Sequence, residues 1–109
     1  MIEIIVPDDN DFIVNTALEG KNYGLHFSWN ASGKFWTIGI QDDSQNIIVS
    51  GIKMVPNYPL LQQFRVSSLP PGEFMAVSET LERIGRYDFV NGSAALVYIE
   101  SGEFDAVLS

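Results

Sequence analysis

YGLHFSWNASGKFWTIGIQDDSQNIIVSGIKMV, running from Tyr23 to Val55, joins three runs of β-forming residues through two turn-like segments. In the first run Tyr23, Leu25, Phe27 and Trp29 alternate with Gly24, His26 and Ser28, the period-2 signature of a strand with one buried face. The second, Phe35 to Gln41, sets Trp36, Ile38 and Ile40 against Phe35, Thr37 and Gly39, so both of its faces are at least partly covered. The third, Ile47 to Val55, places Ile48, Ser50, Ile52 and Met54 opposite Ile47, Val49, Gly51 and Lys53. Asn30 to Lys34 and Asp42 to Asn46 have the composition of tight turns, with Gly33 expected at positive φ. The stretch therefore reads as an antiparallel three-strand meander, with a bulge or a close backbone neighbour at Gly51.

Outward from this meander the same signals recur. Ile2 to Val6 is a short β-rich run stopped by Pro7, suited to an edge or first strand. Asp11 to Leu18 alternates Phe12, Val14, Thr16 and Leu18 with Ile13, Asn15 and Ala17, and Glu19 to Asn22 turns it back as a hairpin. Pro56-Asn57-Tyr58-Pro59 ends the strand pattern. Leu60, Leu61 and Phe64 then have helical spacing, which predicts one short helical turn capping the sheet. Arg65 to Leu69 reads as extended, and Pro70-Pro71-Gly72 turns the chain into a strand beginning near Glu73. Thr80 to Tyr87 is expected to be a loop or a turn of helix weakened by Gly85. Ala94 to Glu100 forms the closing strand. The fold class is all-β: one domain over residues 1–109, a small antiparallel β-sandwich or rolled barrel of about seven strands with one short helical turn.

Composition narrows the function classes. With 46% hydrophobic residues and 12% aromatics the chain has the means to build a core, and with no cysteine it holds neither disulfides nor thiolate metal ligands. Six basic residues against fourteen acidic ones give a net charge of -8, which opposes binding to phosphate backbones and anionic membranes. The acidity serves solubility, and it also complements a basic protein partner. The amino terminus lacks the basic segment and long apolar core of a secretory signal, and no run reaches membrane-spanning length.

Sites of chemistry are sparse. Asp8-Asp9-Asn10-Asp11 offers oxygen ligands, but Phe12 falls where calcium needs the next one and no glycine follows, so a solvated loop is the better account. His26 is the one histidine, which rules out multi-histidine metal sites, and no serine lies in a nucleophile-elbow sequence. Carboxylates are numerous enough for a glycosidase-type pair, yet most sit in turns such as Asp42-Asp43, where local hydrogen bonding and water suffice. Glycine-rich phosphate loops are absent. Asn30-Ala31-Ser32 and Asn91-Gly92-Ser93 match the glycosylation triplet but read as turns without a secretory signal. Trp29 and Trp36 flank the first hairpin loop, either as core or as an aromatic platform for a sugar.

The run Asn30-Ala31-Ser32-Gly33-Lys34-Phe35-Trp36-Thr37-Ile38, with Ser50 to Leu61 behind it, resembles the small baseplate plug proteins of contractile-tailed bacteriophages, a family named after a cyanophage baseplate plug. The similarity extends to the strand at Ile2 to Pro7, the turn at Leu18 to Gly20, the aromatic strand Tyr23 to Trp29 and the closing Leu96-Val97-Tyr98. It implies a noncatalytic virion component, made in the bacterial host cytoplasm, that fills or bridges the baseplate hub beside tail tube and spike proteins. It implies no cofactor, no catalytic residue and no metal. A homo-oligomer is a further option, and the competing class is a small carbohydrate-binding β domain. For partner contact the sequence nominates Leu60, Leu61, Phe64 and Phe104, apolar residues beside Pro-rich turns and near the end of the chain. The alternative for Leu60, Leu61 and Phe64 is that they close one end of the core.

Overall fold

The computed structural model describes residues 1–62, 64, 68–80 and 82–102. Seven strands follow one another: β1 (Ile2–Ile4), β2 (Asp11–Leu18), β3 (Lys21–Asn30), β4 (Phe35–Asp42), β5 (Ile47–Lys53), β6 (Glu73–Val77) and β7 (Ala95–Ile99). They form two antiparallel sheets, β2-β3-β4-β5 and β1-β7-β6. The architecture is sandwich-like, so of the two predicted closures the sandwich holds and the rolled barrel does not.

The four-stranded sheet is the predicted meander preceded by the predicted hairpin. Its strands pair in sequence order because the connections are short. Leu18 and Lys21 are register partners across Glu19 and Gly20, both at positive φ (50° and 87°), which is the type I′ turn that suits the twist of two strands. The register sets Phe12 opposite Phe27 and Val14 opposite Leu25, so the alternating apolar residues of both strands share the inner face. Phe12 and Phe27 stack at 5.1 Å between ring centroids.

The next turn corrects an expectation. Lys34, at φ 57°, takes the left-handed position rather than Gly33, and Lys34 N–H donates to Asn30 O while Gly33 N–H donates to Asn30 Oδ1. A Cβ on Gly33 would sit 2.2 Å from the Phe35 ring, so close packing is what requires glycine there. At the β4–β5 turn Asp42 accepts from the Ser44 and Asn46 amides, each at 2.9 Å. These hydrogen bonds, Asn46 first, hold its carboxyl below the ordinary range.

Gly51 does mark a bulge. Ile38 pairs with Ile52 and Ile40 with Val49, so two residues of β5, Ser50 and Gly51, oppose Gly39 alone, and Gly51 sits at φ 70°. The strict alternation read for this strand is thereby broken. Ser50, placed by periodicity with Ile52 and Met54, is exposed, while Ile52 and Met54 are buried.

The smaller sheet contributes Ile4, Phe74, Ala76, Leu96 and Tyr98 to the same core as Leu25, Phe27, Trp36, Ile38 and Ile40. Its β6 side is occupied by the chain that follows β5: Pro56 bridges Ala76, and Leu60 N–H donates to Phe74 O. The Asn57 side chain donates to Ser78 O and accepts from Ser78 N–H, so a primary amide here continues the ladder as a backbone amide would. At Leu60 to Phe64 the predicted helical turn reduces to a single hydrogen-bonded turn, Phe64 N–H to Leu61 O. The extended segment predicted from Arg65 lies mostly outside the described residues. Thr80 to Tyr87 is irregular among its described residues, with Ile84 buried.

Candidate interaction surface

Tyr98, near the end of β7, the middle strand of its sheet, joins several polar groups. Its hydroxyl accepts from Gly72 N–H at 2.7 Å and donates to Glu19, whose carboxylate also accepts from Ser101 Oγ at 2.7 Å. The β2–β3 turn of one sheet is thus tied to the end of the other. Desolvation pushes the Glu19 carboxyl up, but the hydrogen bonds from Tyr98, Ser101 and Gly72 together outweigh it and leave the group below its ordinary value. Burial, reinforced by the carboxylate it meets, pushes the Tyr98 phenol well up. This is a structural tie: both groups are consumed by each other.

Glu73 is the one buried charged residue among those described. Its Oε1 accepts from Leu61 N–H at 2.6 Å and Phe74 N–H at 2.9 Å, which fixes the turn after Pro59 against the start of β6. Burial raises its carboxyl despite these donors and that of Leu60. The Glu73 carboxylate thus spends Oε1 on backbone amides of its own chain. His26 pairs with Asp11 across β2 and β3 on the exposed face. Among the described residues no group of three or more His, Cys, Asp or Glu could hold a metal ion.

The two tryptophans do not share an exposed surface. Trp36 is 1% exposed, donates its indole N–H to Gly85 O and meets the half-buried Trp29 edge to face at 5.5 Å. Arg86 lies over the Trp36 ring and bonds Asp8 at 3.0 Å, so it pins the Asp8 to Asp11 loop against the core. The loop that failed the calcium spacing is in this way a clasp, and Asn10 completes it by accepting from Arg86 Nε.

Of the residues nominated for partner contact, Leu60 and Leu61 lie in the core at 3% and 5% exposure, and Phe64 is half-buried against it. Phe104 lies outside the described residues. Other apolar side chains are exposed among the described residues, including Ile5, Ile13, Ile47, Tyr58, Tyr87 and Val90. Ile5 and Val90 border a groove of about 220 Å³ beside β1, with Glu3, Asp8, Phe89 and Ala95 also in its lining. Sequence reasoning passed over this groove, although one signal was present. Ile4-Ile5-Val6 is an unbroken apolar run, and in a strand with one core-facing side the middle residue points outward.

Residues 1–101 match the family described as Cyanophage baseplate Pam3 plug gp18. The chain belongs to this family. The resemblance read from the meander is confirmed over nearly the whole chain, and membership in a baseplate plug family supports a structural role in the tail baseplate of a virion. Among curated proteins none matches the sequence. Within the plug family's match lie all seven strands, the Glu19–Tyr98 tie and the groove beside β1, so each belongs to the shared part of the chain.

Proposed function

We propose that the protein is a noncatalytic plug that fills or bridges the central hub of a tail baseplate, next to the tube and spike proteins. The observation that carries this reading is the family match over residues 1–101. Glu73 and Tyr98 agree with it, because their polar atoms are spent on holding the fold. The protein is made in the bacterial host and joins the virion on assembly, with its acidic surface turned to basic neighbours. A net charge of -8 also keeps it from adhering to DNA passing along a tail channel.

The turn at Leu60 to Phe64 forms one contact region, and Phe104, outside the described residues, is a second contact nominated by the sequence alone. Leu60 and Leu61 anchor the turn from within, and a neighbour meets Phe64 and the exposed Tyr58 beside it. Affinity purification of tagged protein from cells carrying the complete tail gene cluster tests the reading, with mass spectrometry and size exclusion of what is retained. Hub, tube or spike proteins are expected in the retained complex. A solitary monomer would overturn the plug reading.

A further inference from the structure

We propose that the open edge of β1, with the groove beside it, receives an extended basic segment of a neighbouring baseplate protein as an added strand. This rests on the plug reading and names where the partner binds. The three-stranded sheet has the order β1-β7-β6, and its two edges differ. The β6 edge is covered by Pro56, Asn57 and Leu60 through backbone and side-chain hydrogen bonds. Among the described residues no strand lies along the β1 edge. Unpaired strand edges recruit other strands unless lysines, prolines or bulges block them. Here the edge is three residues long with the charged Glu3 in its middle, and Pro7 stands beyond the strand, so the edge favours a strand whose charge answers Glu3.

The groove is lined by Glu3 to Val6 and by Ala94 to Leu96 of the chain that pairs with β1, and the added segment places alternate side chains there, as strand-addition complexes require. Ile5 is 74% exposed and Val90 48%, and the half-buried Phe89 lines the same depression. The preference for a basic occupant comes from charge. Glu3 has no ion-pair partner among the described residues, and Asp9 accepts only from the Asn10 amide. The nearby cation, Arg86, is already held by Asp8 and Asn10. Two other occupants carry the wrong charge. A second copy pairing edge to edge would bring Glu3 toward its counterpart, and like charges across a pair of strands repel. The chain's own last residues contain Glu103 and Asp105, which would add negative charge to an acidic edge.

Hydrogen exchange tests this on the full chain, alone and with purified hub, tube and spike proteins of the same gene cluster, one at a time. Glu3→Lys and Val90→Asp serve as variants; both sites are exposed, and thermal melts verify folding. We expect one of the three proteins to slow exchange at residues 2–6 by about tenfold or more. Glu3→Lys should weaken that complex by about tenfold, as loss of a complementary charge does. If a complex forms with wild-type affinity in both variants and protects other residues, this site falls while the plug reading stands. Binding to none of the three proteins overturns both. Two results would make the chain its own occupant and overturn the proposal: protection of residues 2–6 in a concentration-dependent dimer, or protection in the monomer that deletion of residues 103–109 abolishes.

Discussion

Glu19 and Tyr98, seventy-nine positions apart, are joined by a hydrogen bond that ties the β2–β3 turn to the central strand of the other sheet. The same hydroxyl satisfies Gly72 N–H. Tyr98→Phe deletes one oxygen and leaves Gly72 N–H without its acceptor, while Glu19 keeps Ser101. Loss of about 1–3 kcal/mol is expected, the cost of leaving a buried donor without an acceptor. Urea unfolding measures it, and a change within error of zero would show that water replaces the hydroxyl.

The two shifted glutamates predict opposite pH dependences. Glu19 is depressed when folded, so its contribution is present above the unfolded value near 4.5 and is lost as pH falls through the lower folded value. Glu73 is raised, so its contribution is full below 4.5 and is lost as pH rises through its folded value. Glu73→Gln keeps an oxygen for the Leu61 and Phe74 amides while removing the charge. Its stability should decline less than wild type between pH 4.5 and neutrality. Parallel wild-type and variant curves in denaturant titrations would refute this. Glu73→Ala, which strands the amides, is expected to cost about 1–3 kcal/mol throughout.

Gly51 and Gly72 should tolerate alanine unequally. At Gly51 a Cβ meets nothing within 4 Å, and only the φ of 70° opposes it, a cost of about 1–2 kcal/mol. At Gly72 the Cβ would stand 2.1 Å from Ile99 O and 2.6 Å from the Tyr98 hydroxyl. Gly72→Ala must therefore displace β7 backbone and break the tie to Glu19, costing about 3 kcal/mol or more. Melting temperatures of the two variants, compared side by side, decide the order.

Trp36→Ala is expected to lose about 3–5 kcal/mol, the range for a large buried aromatic, while Trp29→Ala loses less because the residue is half-buried. Intrinsic fluorescence should be unmoved by a panel of oligosaccharides, since Trp36 is out of reach of a ligand. A saturable change with any sugar would revive the carbohydrate-binding alternative.

Leu61→Asp is expected to unfold the protein rather than to weaken partner contact selectively, because it puts a charge into a site 5% exposed beside the Glu73 carboxylate. Tyr58→Asp, at an exposed position, should leave the melt unchanged within about 0.5 kcal/mol. Circular dichroism melts of the two variants separate these outcomes.

Local pattern alone determined much of this protein. Alternation in Tyr23 to Trp29 and Asp11 to Leu18, punctuated by Gly, Asn and Asp, specified strands, turns and the pairing order of the larger sheet, because neighbouring strands on short connections have little choice of partner. The same residues carried the family resemblance. What periodicity could not supply was phase and cover. Ser50 faces outward because the bulge at Gly51 advances β5 by a residue, a consequence of φ at one position. Leu60 and Leu61 read in sequence either as anchors for a partner beside prolines or as closure of the core; they are buried, and Glu73 and Phe74, more than ten positions away, accept their amides. Ile5, in a run as apolar as any, is uncovered because nothing described lies over its side of β1. Burial is decided by which distant segment comes to rest on a residue, and that is a property of the packed chain as a whole.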